Sequence, residues 1–266
     1  MLLLITGHQR SGTSVLQKIC NTHSAIRITP EFGNCARLGK TSYLKHTAQV
    51  LRRWRIIQGS WLIDGFTEQH RRKRWMNLVF VTRYLLALYK QWPAPMNTLA
   101  IETTLHRIFP DSQIVGDKWP YYLFILDRLI PRENLYFLII YRDCRDVTSS
   151  TLKKVRERWY KQAWSANIDT AEKVAKLWVR TIELMEHWKE SVYGDKIHIL
   201  RYENLIWEPE QEMARLGSWL GVDPSGFSYP FISDTSIEKY RTGLTEEELA
   251  AVIEIAGPTM KRLGYE

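Results

Sequence analysis

Apolar positions fall in short runs that end on turn or charge signals, and the runs alternate with stretches of helical spacing. Leu2-Leu3-Leu4-Ile5-Thr6 is a continuous apolar run closed by Gly7, which predicts a buried strand. Leu135-Tyr136-Phe137-Leu138-Ile139-Ile140-Tyr141 is aromatic and β-branched, stops at a charged cluster and gives the strongest strand signal. Asp195–Arg201 holds a third strand, and Gln113-Ile114-Val115-Gly116 a weaker fourth. Val174, Leu177, Trp178, Thr181, Leu184, Met185 and Trp188 recur at helical spacing and predict an amphipathic helix over 170–190. Further helices are predicted over 13–21 and 210–220. Another begins at the capping box Thr245-Glu246-Glu247-Glu248 and runs toward Leu263, with a kink expected at Pro258. Strands alternating with helices predict an α/β fold in which one domain, residues 1–266, carries a parallel sheet flanked by helices. Residues 36–100 fit that alternation poorly and are expected to form a mainly helical insertion over the sheet edge.

Composition narrows the class. The 266 residues are 45% hydrophobic and 25% charged, which excludes a disordered chain. No apolar run approaches the roughly 18 residues of a membrane span. The apolar N-terminus has no basic residue ahead of it and reaches Gly7-His8-Gln9-Arg10 too soon for a signal peptide. With only Cys20, Cys35 and Cys144, a disulfide framework is not expected, and a cytoplasmic location is. The formal charge is 37 − 29 = +8. All of the excess lies in residues 45–90, which include Arg52-Arg53-Trp54-Arg55 and Arg71-Arg72-Lys73-Arg74-Trp75. That segment favours an acidic partner: an anionic substrate, a nucleic acid or, through peripheral contact, a membrane surface.

The loop after the first strand carries the clearest chemistry. Gly7-His8-Gln9-Arg10-Ser11-Gly12-Thr13-Ser14 matches the phosphate loop G-x-x-x-x-G-K-[ST] except that Thr13 stands in place of the lysine. Glycines allow a tight turn whose amides, backed by a helix N-terminus, make an anion hole. Without the lysine, hydrolysis of a nucleoside triphosphate is not favoured, and Arg10 offers a cation at a different place. A second anion site is read after the strongest strand. Arg142 sits at that strand's carboxyl end, where ligands bind in open α/β sheets, and Ser150 follows on the next helix. No metal ligands are evident.

Taken together these segments resemble the sulfotransferases that use 3′-phosphoadenosine 5′-phosphosulfate (PAPS), including tyrosylprotein and bacterial sulfotransferases. Their phosphosulfate loop is similar to Gln9-Arg10-Ser11-Gly12-Thr13-Ser14-Val15-Leu16, and their 3′-phosphate motif to Arg142-Asp143-Cys144-Arg145-Asp146-Val147 with Ser150. Gly116-Asp117-Lys118-Trp119-Pro120, Arg201-Tyr202-Glu203-Asn204-Leu205 and the C-terminal Arg262-Leu263-Gly264-Tyr265 also look like that family. The resemblance weakens over 36–100, and Cys144 and Trp119 depart from its usual Pro and Thr. It implies PAPS as donor and adenosine 3′,5′-bisphosphate (PAP) as product, with no metal. It further implies that Arg10, Ser11, Gly12, Thr13, Ser14, Arg142, Ser150, Tyr202 and Arg241 hold the nucleotide, and Lys154, one helical turn after Ser150, is placed to approach the 3′-phosphate. Lys118 and Arg10 are the expected cations for the charge that grows on the leaving phosphate. Glu31, at a spacing after Arg10 that is similar in tyrosylprotein sulfotransferases, is the first candidate for general base, and His8 in the loop is the rival.

Two other readings stay open on the sequence. A P-loop kinase-like phosphotransferase would need Asp143 to hold Mg²⁺ and lacks the loop lysine. A nucleic-acid-binding protein would use the Arg/Trp-rich segment 52–75 but leaves both anion motifs unexplained, so no nucleic-acid partner is expected. The acceptor is not fixed. Basic residues with Trp54, Trp61, Trp75 and Trp92 suit an anionic or sugar-containing one, while small phenols, lipids and peptide tyrosines stay open.

Overall fold

The computed structural model describes residues 1–36, 42–56, 70–132, 134–230 and 232–265, without the side chains of 54–56 and 70–77. The expectations that rest on Trp54, Arg55, Trp61 and the Arg71–Trp75 side chains lie outside the described residues.

Five parallel strands form one sheet: β1 (Leu2–Gly7), β2 (Ile26–Pro30), β3 (Ile114–Lys118), β4 (Leu135–Tyr141) and β5 (Ile197–Arg201), in the order β2-β3-β1-β4-β5. The sequence pattern predicts four of these. It does not reveal β2, whose Ile26-Arg27-Ile28-Thr29-Pro30 is short and ends in proline. An edge strand tolerates Pro30 because the ladder lacks a partner on one side. Leu4 faces Asp117 and Ile5 faces Lys118 across one flank of β1, and Ile5 faces Leu138 across the other.

Helices cover both faces. They are α1 (Thr13–Thr22), α2 (Tyr43–Ile56), α3 (His70–Tyr89), α4 (Thr98–Ile108), α5 (Leu126–Leu129), α6 (Cys144–Lys154), α7 (Ala171–Glu190), α8 (Tyr202–Trp207), α9 (Pro209–Leu220), α10 (Tyr240–Gly243) and α11 (Glu246–Arg262). Strand residues alternate between two cores, as the pleat requires. Leu2, Leu4, Phe137 and Ile139 pack with Val174, Trp178 and Ile182 of α7 and with Val252 and Ala256 of α11. Leu3, Ile5, Leu138 and Ile140 pack with Leu16 and Ile19 of α1 and with Met213 and Leu216 of α9.

The predicted capping box is formed: Thr245 Oγ1 accepts from the Glu248 amide at 3.2 Å, and the Glu248 carboxylate accepts from the Thr245 amide at 3.1 Å. α11 continues through Pro258 to Arg262. The segment between β2 and β3 holds α2 and α3, as expected, and adds α4. No described helix is long and apolar enough to cross a membrane. Cys20, Cys35 and Cys144 are free and buried.

The strand order positions the site. From β1 the chain passes to β2 and β3 on one side and then to β4 on the other. The connections therefore part beside β1, which leaves a crevice at the carboxyl ends of β1, β3 and β4. The loop after Gly7, Lys118 and Arg142 all emerge there.

Candidate functional site

The loop between β1 and α1 is held by its own backbone. Gly7 has φ +141°, and a Cβ there would stand 2.1 Å from the Ile140 carbonyl oxygen. Gly12 has φ +98°, and a Cβ would strike the Tyr202 ring at 2.3 Å. Only glycine meets both the left-handed backbone and the close approach. Gly12 precedes α1, whose first turn carries no acidic side chain, so the positive end of the helix is left for an anion.

Two side chains join this loop to the second site. Arg10 Nε donates to Ser150 Oγ on α6 at 2.9 Å. Arg142 stacks on Tyr202, its guanidinium 4.7 Å from the ring centroid, and pairs with Asp146 at 3.0 Å. It also donates to the Ser236 carbonyl, while its Nε has no partner. Trp178 Nε1 donates to the Arg142 carbonyl at 2.8 Å and fixes the strand end. The resulting cleft has a volume of about 400 Å³ and is lined by Arg10, Thr13, Ser14, Arg142, Ser150, Lys154 and Tyr202, among others. Lys153 and Lys239 add two further cations to its wall. Burial and the nearby Arg142 charge hold the Arg10 guanidinium below its usual range, and Glu31 acts in the opposite direction. Crowded cations of this kind are relieved when an anion binds.

Lys118 ends β3 and is 3% exposed, so it is not an ordinary surface lysine. Its Nζ donates to Ser14 Oγ at 3.1 Å and to Glu31 Oε1 at 2.8 Å. Asp117, pointing the opposite way, is fully buried and accepts from Thr29, Tyr122 and the amides of Phe32 and Gly33. Burial raises the Asp117 pKa against the pull of those donors. This carboxylate clamps the turn that carries Glu31. Glu31 itself has φ +50°, its amide donates to the Lys118 carbonyl at 2.6 Å, and Arg53 donates from Nε and Nη2 to its carbonyl at 2.9 and 2.6 Å. The non-glycine residues of positive φ among the described residues are Arg10, Glu31 and Glu238. Left-handed backbone costs non-glycine residues of order 1–3 kcal/mol each, persists where surrounding bonds over-determine it, and clusters at functional sites.

Beyond Glu31 a second cleft of about 430 Å³ opens between α2 and Trp119, lined in part by Lys45, Gln49, Arg52 and Arg53. Arg53 lies 5.8 Å from the Trp119 ring centroid. Lys118 and Glu31 line neither cleft but link them: Lys118 bonds to Ser14 of the first and to Glu31, whose carbonyl accepts from Arg53 of the second.

Other predicted residues lie elsewhere. His8 is buried, with Nδ1 2.7 Å from the Gln9 carbonyl and Nε2 unpartnered. It lines neither large cleft but a small separate cavity with Tyr121, Phe124 and Leu177. Burial lowers its pKa to about 4. Ser11 is fully buried and its hydroxyl has no partner. Arg241 departs from expectation: it is exposed, pairs with Glu238 at 3.0 Å and does not line the nucleotide-sized cleft. The chain turns at left-handed Glu238, so Lys239 faces that cleft instead. Asp143 caps α6 by accepting from the Arg145 amide at 2.7 Å and pairs with the Arg145 guanidinium at 2.7 Å. It is engaged as a structural cap. Glu203, not singled out in the sequence, is buried and accepts from the Asp143 amide, Arg201 and Tyr265, tying the α8 turn to the C-terminal segment.

Comparison with known proteins identifies the family and the fold. A model of the sulfotransferase family matches residues 3–225. The sulfotransferase domain from the curacin biosynthetic pathway superposes with a TM-score of 0.63 at 16% identity, covering 100% of this chain and 98% of that one. The sulfotransferase domain of the Synechococcus PCC 7002 olefin synthase gives a TM-score of 0.61 at 17% identity, covering 100% and 94%. A mouse sulfotransferase complexed with PAP gives 0.53 at 10% identity, covering 97% and 83%. Among curated sequences, the nodulation protein NoeE of Sinorhizobium fredii is 30% identical over 91 residues, and the match spans 26% of this chain and 22% of that protein.

Proposed function

The chain belongs to the sulfotransferase family, and from that premise we propose that it transfers a sulfuryl group from PAPS to a hydroxyl or amine of an acceptor bound beside Glu31, releasing PAP. The observation that carries this reading is the Arg10–Ser150 hydrogen bond, which makes the glycine loop and the Arg142 site two ends of one cleft. A nucleotide with two separated anionic groups suits such a cleft. In this reading the loop amides from Ser11 to Ser14, with Arg10, receive the 5′-phosphosulfate. Arg142, Ser150 and Lys154 receive the 3′-phosphate, and Tyr202 braces both Gly12 and Arg142.

The chemistry then follows from placement. The acceptor oxygen attacks sulfur in line with the bond to phosphate. The S–O bond to phosphate breaks, and its electron pair stays on the leaving phosphate oxygen. Charge grows there, and Lys118, Arg10 and the loop amides are the donors that meet it. Glu31 takes the acceptor proton, so the carboxylate must exchange its pairing with Lys118 for the acceptor hydroxyl. Lys118 is then free to follow the developing charge. Glu31 is favoured over His8 as the base because it bonds to Lys118 and to Arg53 of the second cleft, whereas His8 faces an apolar cavity. We take residues 1–266 to work as one domain, the helical segment 36–100 forming the acceptor side.

A labelled-sulfonate assay tests the reading. PAPS should support transfer to a phenolic or sugar acceptor, with PAP as inhibitor competitive against donor. Phosphoryl transfer from ATP with Mg²⁺, in the absence of PAPS-dependent transfer, would favour the kinase-like alternative.

A further inference from the structure

Resting on that reading, we propose that the cleft beyond Glu31 selects an acceptor whose ring carries an anionic group in addition to the reacting hydroxyl, and that Lys45 and Arg52 are the residues that read it. Three observations carry this. First, helical periodicity brings Lys45, Gln49, Arg52 and Arg53 to the cleft as one face of α2. Second, the cations differ in what they already do. Arg53 is committed to the Glu31 carbonyl and lies 3.8 Å from the Glu31 carboxylate. Lys45 and Arg52 have no acidic partner among the described residues, and the described lining of the cleft contains no carboxylate. Third, the remaining wall suits a ring: Trp119 offers an aromatic face, and Gln49, whose Nε2 is spent on the Gly33 carbonyl, has an unpartnered Oε1.

The spacing sets the size of the acceptor. Arg53 marks the Glu31 end of the helix face, and Lys45 lies about 12 Å farther along α2 at the helical rise per residue. Arg52 falls between them. Measured along the axis, Arg52 is about 1.5 Å and Lys45 about 12 Å from Arg53, so the anionic group sits within roughly 12 Å of the reacting hydroxyl, at most the span of two sugar-sized rings. An uncharged acceptor of the same shape would leave two unpaired cations facing it.

The test uses direct binding, so it does not depend on finding the natural acceptor. The probes are para-nitrophenyl glucuronide, the matching neutral glucoside, and the glucoside phosphorylated on its primary hydroxyl. Each is titrated calorimetrically into the protein alone and into the protein saturated with PAP. At least one anionic probe should bind about tenfold tighter than the glucoside, as charge-assisted hydrogen bonds at a half-open site allow. Which one does so distinguishes a carboxylate from a phosphate ester. Raising the salt concentration should shrink the ratio. In the double variant Lys45→Gln, Arg52→Gln the ratio should fall toward one with PAP affinity retained, and Arg52→Lys should keep most of it. If the double variant does not fold, the single Lys45→Gln change reads the same ratio. Equal or tighter binding of the glucoside, or no binding of either anionic probe, overturns the proposal. A failure of PAP to bind would instead overturn the donor assignment, and the ratio measured on the protein alone would still decide this one.

Discussion

The two clefts linked through Lys118 and Glu31 have similar volumes, about 400 and 430 Å³, yet they are built differently. The cleft we assign to the donor is made from strand ends and the elements that follow them. Its loop geometry needs Gly7 and Gly12, and its cations are braced by Ser150, Asp146, Tyr202 and Ser236. The second cleft, where we place the acceptor, is one face of α2 laid against Trp119, tied to the turn after β2 by Arg53 through Glu31 and by Gln49 through Gly33. The first site is therefore a property of the fold, and altering it disturbs buried backbone. The second is a property of a few side chains on one helix, which can change without touching the core. A family can in this way keep one donor while varying its acceptor.

Substitutions at the junction should break the comparison most strongly. Glu31→Gln keeps the shape and removes the base, so kcat should fall by about 10²–10⁴ with an alcohol acceptor. The loss should be smaller with a phenol, whose pKa near ~10 makes ionisation easier. Rates with two acceptors of different acidity check this. Full activity on the weaker acid would move the role to His8, to be tried as His8→Asn.

Lys118→Ala should lower kcat by about 10²–10³ with a modest change in donor affinity, because its ammonium meets charge that appears only in the transition state. Single-turnover rates at saturating donor, set beside PAP dissociation constants, separate the two effects.

Arg142→Ala, wholly on the donor side, should behave in the opposite manner. In the proposed reading it contacts a phosphate that does not change charge, equally in ground and transition states. Donor affinity should weaken about 10- to 100-fold while kcat is spared. A fall in kcat with unchanged KM would show that Arg142 acts on the reacting group.

The smallest expected effect concerns pH. His46, on the buried face of α2, has Nε2 3.0 Å from the Tyr84 hydroxyl, and burial lowers its pKa from 6.5 to about 4. His8, buried within the β1–α1 loop, is lowered to the same value by burial. Below pH 6.5 the unfolded chain binds protons that the native state refuses. Stability is therefore full above that value and is lost as pH falls toward about 4. Urea midpoints across this window should fall, and His46→Gln should flatten the fall at a cost of about 1 kcal/mol near neutrality. A midpoint independent of pH in this range would contradict the burial assigned to both rings.

How much of this was legible in the sequence follows the same division. The glycine spacing of the loop, Arg142 at the end of the strongest strand, and Lys118 after a weak one could be read because a strand end points its next residues at the crevice. β2 escaped notice because five residues ending in proline carry too little pattern to separate a strand from a turn. Lys239 rather than Arg241 faces the cleft because Glu238 adopts a left-handed backbone, which no spacing rule anticipates. Asp117 and Glu203 read as ordinary acids, since the amides and hydroxyls that bury them come from distant parts of the chain. Lys45, Arg52 and Arg53 were visible only as a run of charge. Their grouping on one face with Trp119 depends on where α2 docks.

The claim that one cleft holds both ends of a doubly phosphorylated nucleotide is tested most directly by comparing PAP with adenosine 5′-monophosphate in thermal unfolding. A ligand at 100 times its dissociation constant stabilises the native state by about 2.7 kcal/mol. PAP should therefore raise the midpoint clearly. The monophosphate, which leaves the Arg142–Ser150 end empty, should raise it far less at the same concentration. Equal shifts from the two nucleotides would contradict the account.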